Sequence, residues 1–170
     1  GGVGKTTLAS CLYDDISGKF DGCCFLENIR EKSSRDGLEK LQEKIIYSVL
    51  KQKKVKIGRV EEGRRVIKRN LFHRKVLIVL DDANDRTQLE ALVGSNDWFG
   101  EGSRIIITTR DENLLNSHKV NMIHHTSLLN DEEPIELFCK RAPRDYRNIE
   151  DYELLSKGVV SYAGGLPLAL

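Results

Sequence analysis

A glycine-rich run at the start of the chain has the residue types of a phosphate-binding loop. It reads Gly1-Gly2-Val3-Gly4-Lys5-Thr6-Thr7 and matches the last part of the pattern GxxxxGK[ST]. Glycines let backbone N–H groups converge on phosphate oxygens, and a following helix adds the partial positive charge of its N-terminus. Lys5 would reach the β- and γ-phosphates, and Thr6 would place its hydroxyl on Mg²⁺. Since Gly-Lys-Thr also occurs in ordinary turns, this motif alone leaves both interpretations open.

Two aspartates follow an uninterrupted apolar run at residues 76–80. Such a run predicts a parallel strand that is buried on both faces, and its carboxyl end lies at the sheet edge where a nucleotide binds. Asp81 would hold Mg²⁺ through a water, and Asp82 would orient or deprotonate the attacking water. The alternative is a simple turn over residues 81–85, because Asp and Asn favour turns.

A second apolar strand, at residues 105–109, ends at Arg110. An arginine there can bind the γ-phosphate with two hydrogen bonds. The alternative is a surface ion pair with Asp111 or Glu112, which is common and weak. Three such signals in this order indicate a P-loop nucleotide site. The chain has no Asn/Thr-Lys-x-Asp motif of the kind that specifies guanine, so the prediction is an adenine nucleotide with Mg²⁺.

Apolar spacing predicts the elements that must position these residues. Leu8, Leu12 and Ile16 place a helix directly after the loop. Further predicted elements are a strand at 23–26, helices at 38–50, 60–71 and 89–93, a short helix around 114–115, and a strand at 120–124. Helices alone are predicted at 131–139 and 152–162. The pattern therefore predicts an α/β fold with a parallel sheet and flanking helices over residues 1–128, followed by the start of a small helical subdomain over 129–170.

Composition excludes several classes of protein. The 170 residues are 39% hydrophobic and 31% charged with a net charge of +1, which fits a globular domain and not a disordered one. The longest apolar run, 76–80, is far below the roughly 20 residues of a membrane span. The four cysteines form no CxxC pair, which argues against a disulfide scaffold or a zinc module. We expect a reducing compartment, the cytoplasm first and the nucleus as the alternative.

Both ends of the sequence are abrupt. The strand that must precede a phosphate loop is not in it, and residues 164–170 read as a turn that enters a helix. We therefore expect a piece of a longer protein.

The motifs GGVGKTT, KVLIVLDDAND, GSRIIITTRDENLL and GLPLAL, in that order, closely resemble the nucleotide-binding (NB-ARC) domain of plant disease-resistance proteins. The segment FDGCCFLENIREKSSRDGLEKLQEKIIYSVL resembles the branch of that family with an N-terminal TIR domain. Asp85 supports the same branch, since the other branch usually has Trp there. The resemblance covers essentially the whole chain.

The resemblance implies an ATP/ADP-operated switch inside an intracellular immune receptor with C-terminal leucine-rich repeats. The ADP-bound form would be off, and exchange for ATP would drive opening and self-association. The family's phosphate loop falls on Gly2, Val3, Gly4, Lys5, Thr6 and Thr7. The matching acidic pair is Asp81 and Asp82, Arg110 matches the phosphate-sensing arginine, and Pro167 matches the proline beside the nucleotide.

Two rivals to a slow switch are a P-loop ATPase with steady turnover and a small-molecule kinase. A kinase would need an acceptor pocket, and nothing in the helical tail indicates one. Vigorous ATPases of this class often have Glu where this chain has Asp82, whose carboxylate is one methylene, about 1.5 Å, shorter. A misplacement of that size can cost on the order of 100-fold in rate, which favours slow turnover.

A basic stretch spans residues 51–75, with eleven Lys/Arg, two acids and a net charge of +9, which leaves −8 on the rest of the chain. It could contact nucleic acid or an acidic partner domain. Phe72 is its single Phe, Trp or Tyr, so the stretch lacks the series of aromatic residues that base stacking uses, and we expect a solvated helical surface instead. Trp98-Phe99 is predicted to be a packing anchor.

Overall fold

The computed structural model describes residues 2–51, 55–127, 163 and 167. Helices and parallel strands alternate along the continuous part of these residues. The elements are α1 (Lys5–Ile16), β1 (Gly22–Leu26), α2 (Ile29–Asp36), α3 (Leu38–Leu50), α4 (Val60–Leu71), β2 (Val76–Ala83), α5 (Arg86–Val93), β3 (Arg104–Thr109) and α6 (Glu112–Ser117), with 3-10 turns at Ser17–Lys19 and Asn96–Trp98.

The sheet has the strand order β1-β2-β3, and both pairs of neighbours are parallel. Strand β2 is central, and its residues 76–80 are fully buried, as the uninterrupted apolar run predicts. A β-bulge interrupts the β2–β3 pairing between Leu80 and Ala83. Consequently the acidic end of the central strand leaves the regular ladder.

The main core lies between the sheet and helices α3, α4 and α5. Helix α3 contributes Leu41, Ile45, Ile46 and Val49, all buried, and it packs on β1 and α4. Burial of one such side chain stabilises the fold by about 1.5–3 kcal/mol. Trp98 and Phe99 pack against the same core, which confirms the predicted anchor.

The chain divides into two compact units. One comprises Thr6–Ile123, and the other comprises Gly1–Lys5 with His124–Leu170. The predicted α/β organisation with a parallel sheet and flanking helices is confirmed in the first unit. The predicted helices at 131–139 and 152–162 lie outside the described residues, and the subdomain boundary after residue 128 stays a prediction.

Two elements differ from the sequence-based expectations. The apolar pattern does not predict helix α2, because this helix is almost entirely polar and only its Ile29 is buried. The strand predicted at residues 120–124 is wrong, since this segment is irregular and Met122 is 86% exposed. A strand needs a hydrogen-bonded neighbour, and no strand in the described part of the chain pairs with the outer edge of β3.

Helix α1 forms directly after the loop, as predicted. Its predicted apolar residues Leu8 and Leu12 are nevertheless 49% and 41% exposed. Within the described ranges, no helix combines the length and the apolar character that a bilayer crossing requires.

Candidate functional site

The phosphate-loop helix and the central strand are joined by one short hydrogen bond. The Thr6 hydroxyl, in the first turn of α1, donates to Asp81 Oδ1 at 2.7 Å although the two residues are 75 positions apart. Asp81 is 1% exposed, whereas Thr6 remains accessible to solvent. The structure therefore brings together the two residues that the sequence predicts as magnesium ligands.

A second hydroxyl, from Thr108 on β3, donates to the same oxygen of Asp81, also at 2.7 Å. The Thr108 oxygen in turn accepts the backbone N–H of Asp82 at 2.9 Å. Thr108 is not among the site residues that the sequence predicts. The available signal was its place near the end of β3, opposite the acidic end of β2, but the bulge decides which side chain faces Asp81.

Asp82 has a left-handed backbone conformation, with φ of 53°. This conformation costs a non-glycine residue about 1–2 kcal/mol, and aspartate is among the residues that tolerate it best. In the β-bulge, Asp81 and Asp82 of β2 lie opposite Thr108 alone, which leaves the Asp82 amide without a ladder partner. The Thr108 hydroxyl replaces that partner, so the conformation is held by a side chain instead of a strand.

Arg110, the first residue after β3, forms an ion pair with Asp82, with 3.7 Å between Nε and Oδ1. The Arg110 side chain is 62% exposed and that of Asp82 is 30% exposed, so the pair is weak and easily exchanged. Asp111, one of the acids considered as a surface partner, instead accepts the Asn113 N–H at the start of α6. The structure thus places two predicted site residues, Asp82 and Arg110, side by side.

The remaining predicted site residues belong to the other compact unit or begin α1. Gly2 and Gly4 have φ of 86° and 88°, a region that favours glycine, as the loop pattern requires. Lys5 is the first residue of α1, and Thr7 follows in the same turn. Pro167 is half-buried. Val3 is half-buried between the two glycines.

The donor set around Asp81 suits Mg²⁺. This cation prefers oxygen ligands and usually takes one or two from the protein, with waters and phosphates completing the shell. Both hydroxyls donate to Oδ1, and Oδ2 receives no hydrogen bond from the residues that the structure describes. The carboxylate therefore keeps one oxygen for a metal or a metal-bound water, and the accessible Thr6 hydroxyl lies beside it.

The turn after β2 is fixed separately by Asp85, which caps the N-terminus of helix α5. Its carboxylate accepts the Thr87 N–H at 2.7 Å, and the Gln88 side chain accepts the Asp85 N–H at 3.2 Å. The pKa of Asp85 is lowered by its hydrogen bond with the Thr87 side chain and then by that with the Thr87 backbone.

The turn interpretation of residues 81–85 is wrong for Asp81 and Asp82, because both residues are part of β2.

The basic stretch is partly neutralised by ion pairs at the surface of the fold. Arg64 lies 3.3 Å from Glu61 and 3.9 Å from Glu90, and Lys68 lies 2.6 Å from Asp97. The pairs with Glu90 and Asp97 connect α4 to α5 and to the 3-10 turn at Asn96–Trp98, whereas the pair with Glu61 lies within α4.

Fold and site together define a P-loop nucleoside triphosphatase domain: a parallel sheet, a glycine loop before a helix, and a buried acid bonded to the loop threonine. Residues 1–147 match the NB-ARC domain. The chain belongs to the NB-ARC family of nucleotide-binding domains, and the predicted family resemblance is confirmed.

Relatives with similar sequences are plant resistance proteins. Disease resistance-like protein DSC1 of Arabidopsis thaliana is 44% identical over 169 residues, which is 99% of this chain and 14% of that protein. Disease resistance protein RUN1 of Vitis rotundifolia is 44% identical over 100% of the chain and 13% of its own length. TMV resistance protein N of Nicotiana glutinosa is 43% identical over 100% of the chain and 15% of its own length. The chain thus spans about one seventh of these relatives.

Proposed function

We propose that this chain is the ATP/ADP-operated switch of an intracellular plant immune receptor, off with ADP bound, on with ATP bound, and at most a slow ATPase. Within such a receptor its partners would be a TIR domain and leucine-rich repeats, with self-association in the ATP-bound form. The relatives, named as resistance or resistance-like proteins, support the receptor context.

The hydrogen bond between Thr6 and Asp81 carries the nucleotide part of this proposal. It connects the helix that begins at the glycine loop to the acidic end of the central strand, which is the arrangement that Mg²⁺-nucleotide binding requires. Thr6 and Asp81 would hold Mg²⁺, which when bound neutralises phosphate charge. Backbone N–H groups of Gly2, Val3, Gly4 and Thr7 would bind the phosphates together with the Lys5 ammonium.

The pair of Arg110 and Asp82 supports a switch that distinguishes ATP from ADP. Arg110 is exposed, and the ion pair that it forms among the described residues spans 3.7 Å, so its guanidinium can turn toward a γ-phosphate. Asp82 would then lose its cationic partner and be free to accept a proton from an attacking water. The short Asp82 side chain, on a fixed left-handed backbone, favours slow hydrolysis.

The first test identifies the nucleotide that the protein carries. A protein with these residues and flanking sequence at both ends is purified and denatured, and the released nucleotide is identified by chromatography. Stoichiometric ADP is expected, because a closed switch exchanges slowly. An empty, folded protein that hydrolyses added ATP over many cycles would instead establish the ATPase with steady turnover.

The Lys5→Ala variant should lose its bound ADP, because it lacks the ammonium that would contact the phosphates. Lys19→Ala, in the exposed turn after α1, removes the same charge away from the site and should retain ADP. Retention of ADP by both variants would refute the phosphate-loop assignment.

A further inference from the structure

We infer that Thr108 is a positioning residue, whose hydroxyl fixes the Asp81 carboxylate in the orientation that Mg²⁺ binding needs. The inference rests on the proposed function, since it concerns how the same site is prepared for the metal. Thr108 acts through Asp81 and through the backbone of Asp82, and not by touching metal or nucleotide.

Both hydrogen-bonding roles of the Thr108 hydroxyl are in use. Its oxygen accepts the Asp82 N–H at 2.9 Å, and its single proton goes to Asp81 Oδ1 at 2.7 Å. Thr108 is 8% exposed, so bulk water has little access to replace either bond. One side chain therefore fixes the direction of the carboxylate and the unusual backbone of the next residue.

Thr6 alone would fix Asp81 less well. The Thr6 hydroxyl is solvent-accessible and is itself a proposed metal ligand, so its bond to Asp81 depends on the state of the site. The Thr108 bond is buried and independent of the loop. With two donors on Oδ1, rotation of the carboxylate would break both bonds, which leaves Oδ2 pointing in one direction.

Groups that hydrogen-bond to a ligating carboxylate orient it, and their removal typically lowers metal affinity about 10- to 100-fold. Thr108→Val keeps the shape of the side chain but neither donates nor accepts. We expect the Mg²⁺ concentration for half-maximal ADP retention to rise by about 10- to 100-fold, with ADP affinity in EDTA unchanged. Thr108→Ser, which keeps the hydroxyl, should restore the wild-type Mg²⁺ requirement.

Thr109→Val is the matched control, since the Thr109 hydroxyl accepts the Asp111 N–H at 3.1 Å and has no bond to Asp81. Its Mg²⁺ requirement should equal that of wild type. Thermal unfolding of the nucleotide-free proteins shows whether each variant is folded. If Thr108→Val does not fold, Thr108→Cys takes its place with the same criteria, because a thiol is a weak donor.

An unchanged Mg²⁺ requirement in the Thr108 variant would overturn the inference while leaving nucleotide binding intact. Equal loss of ADP affinity with Mg²⁺ and with EDTA would also overturn it, because that result indicates a purely structural role. A wild-type protein that binds ADP equally well with and without Mg²⁺ would refute the proposed magnesium site, and this inference with it.

Discussion

The ion pair between Arg110 and Asp82 is weak, and it bears on whether the site distinguishes ATP from ADP. Their ion pair is mostly exposed, so loss of the guanidinium should cost little stability. Arg110→Ala should weaken the binding of ATP by on the order of 10- to 100-fold, as expected for loss of a charged hydrogen bond. The binding of ADP should weaken far less. Equilibrium binding of the two nucleotides measures the difference.

Arg104→Ala is the control for this prediction. Arg104 lies at the opposite end of β3, is exposed, and donates to the Ser103 carbonyl at 3.0 Å. Its loss removes the same charge from the other end of β3 without affecting the sheet edge at Asp82. An equal effect of Arg110→Ala on ATP and ADP would show that Arg110 does not read the γ-phosphate.

Sequence alone could place Asp81, Asp82 and Arg110 at one sheet edge, because the carboxyl ends of parallel strands coincide. It could not supply the contact between Thr108 and Asp81. That contact depends on a bulge in which two residues of β2 oppose one of β3. The apolar pattern of the two strands does not predict this bulge. The roles of the predicted ligands stay predictions until nucleotide binding is measured.

At the scale of helices, α3 and α4 approach each other where Gly63 lies against the carboxamide of Gln42. Gln42 is fully buried, and its Nε2 donates to Ala91 O at 2.9 Å and to Val60 O at 3.0 Å. A Cβ at position 63 would collide with this carboxamide. The carboxamide can move only by losing these hydrogen bonds.

Gly63→Ala should therefore destabilise the protein by about 1–3 kcal/mol, as overpacking does, although Ala favours an isolated helix. Urea unfolding measures the change. Gly18→Ala is the control, because a Cβ there has no neighbour within 4 Å. A more stable Gly63→Ala protein would contradict the prediction. A smaller loss of stability when Gly63→Ala is combined with Gln42→Ala would show that the clash is with the Gln42 side chain.

The start of helix α5 has a pH dependence that one aspartate sets. Hydrogen bonds with Thr87 lower the folded-state pKa of Asp85. The ionised carboxylate therefore contributes fully to the free energy of unfolding above the unfolded-state pKa of about 4, and this contribution is lost as the pH falls through the lower folded-state pKa. Asp85→Asn keeps an acceptor that caps well but does not titrate. The difference in unfolding free energy between wild type and this variant should shrink below about pH 4.

Asp85→Ala removes the cap at all pH values and should cost about 1 kcal/mol at neutral pH. Urea unfolding between neutral and acidic pH measures all three proteins. A constant difference between wild type and Asp85→Asn across that range would show that Asp85 titrates normally.

Elements with strong apolar periodicity were predictable, and the others were not. Helices α3 and α4 have clear buried faces, whereas α2 has one buried residue and forms because its neighbours α3 and β2 hold it in place. Residues 120–124 have the local composition of a strand. Composition cannot supply the partner strand that would satisfy their backbone, so the segment stays irregular.

For the whole molecule, ligand binding should appear as stability. At 100 times its Kd, Mg²⁺-ADP should stabilise the domain by about 2.7 kcal/mol, which corresponds to a rise in Tm of about 5–10 °C for a domain of this size. Calorimetry with and without Mg²⁺-ADP measures the shift. The Lys5→Ala protein should show none, and an equal shift in both proteins would indicate binding elsewhere.

The shared oxygen of Asp81 also has a consequence for biosynthesis. The Thr6 segment leaves the ribosome first, Asp81 follows 75 residues later, and Thr108 comes 27 residues after that. A nascent chain therefore has the glycine loop long before it has the carboxylate and the hydroxyl that complete the site. Mg²⁺ held by Thr6 and Asp81 with the support of Thr108 would therefore reach its full affinity only after β3 has been translated and added to the sheet, so the metal would stabilise a finished domain and would not guide its early folding.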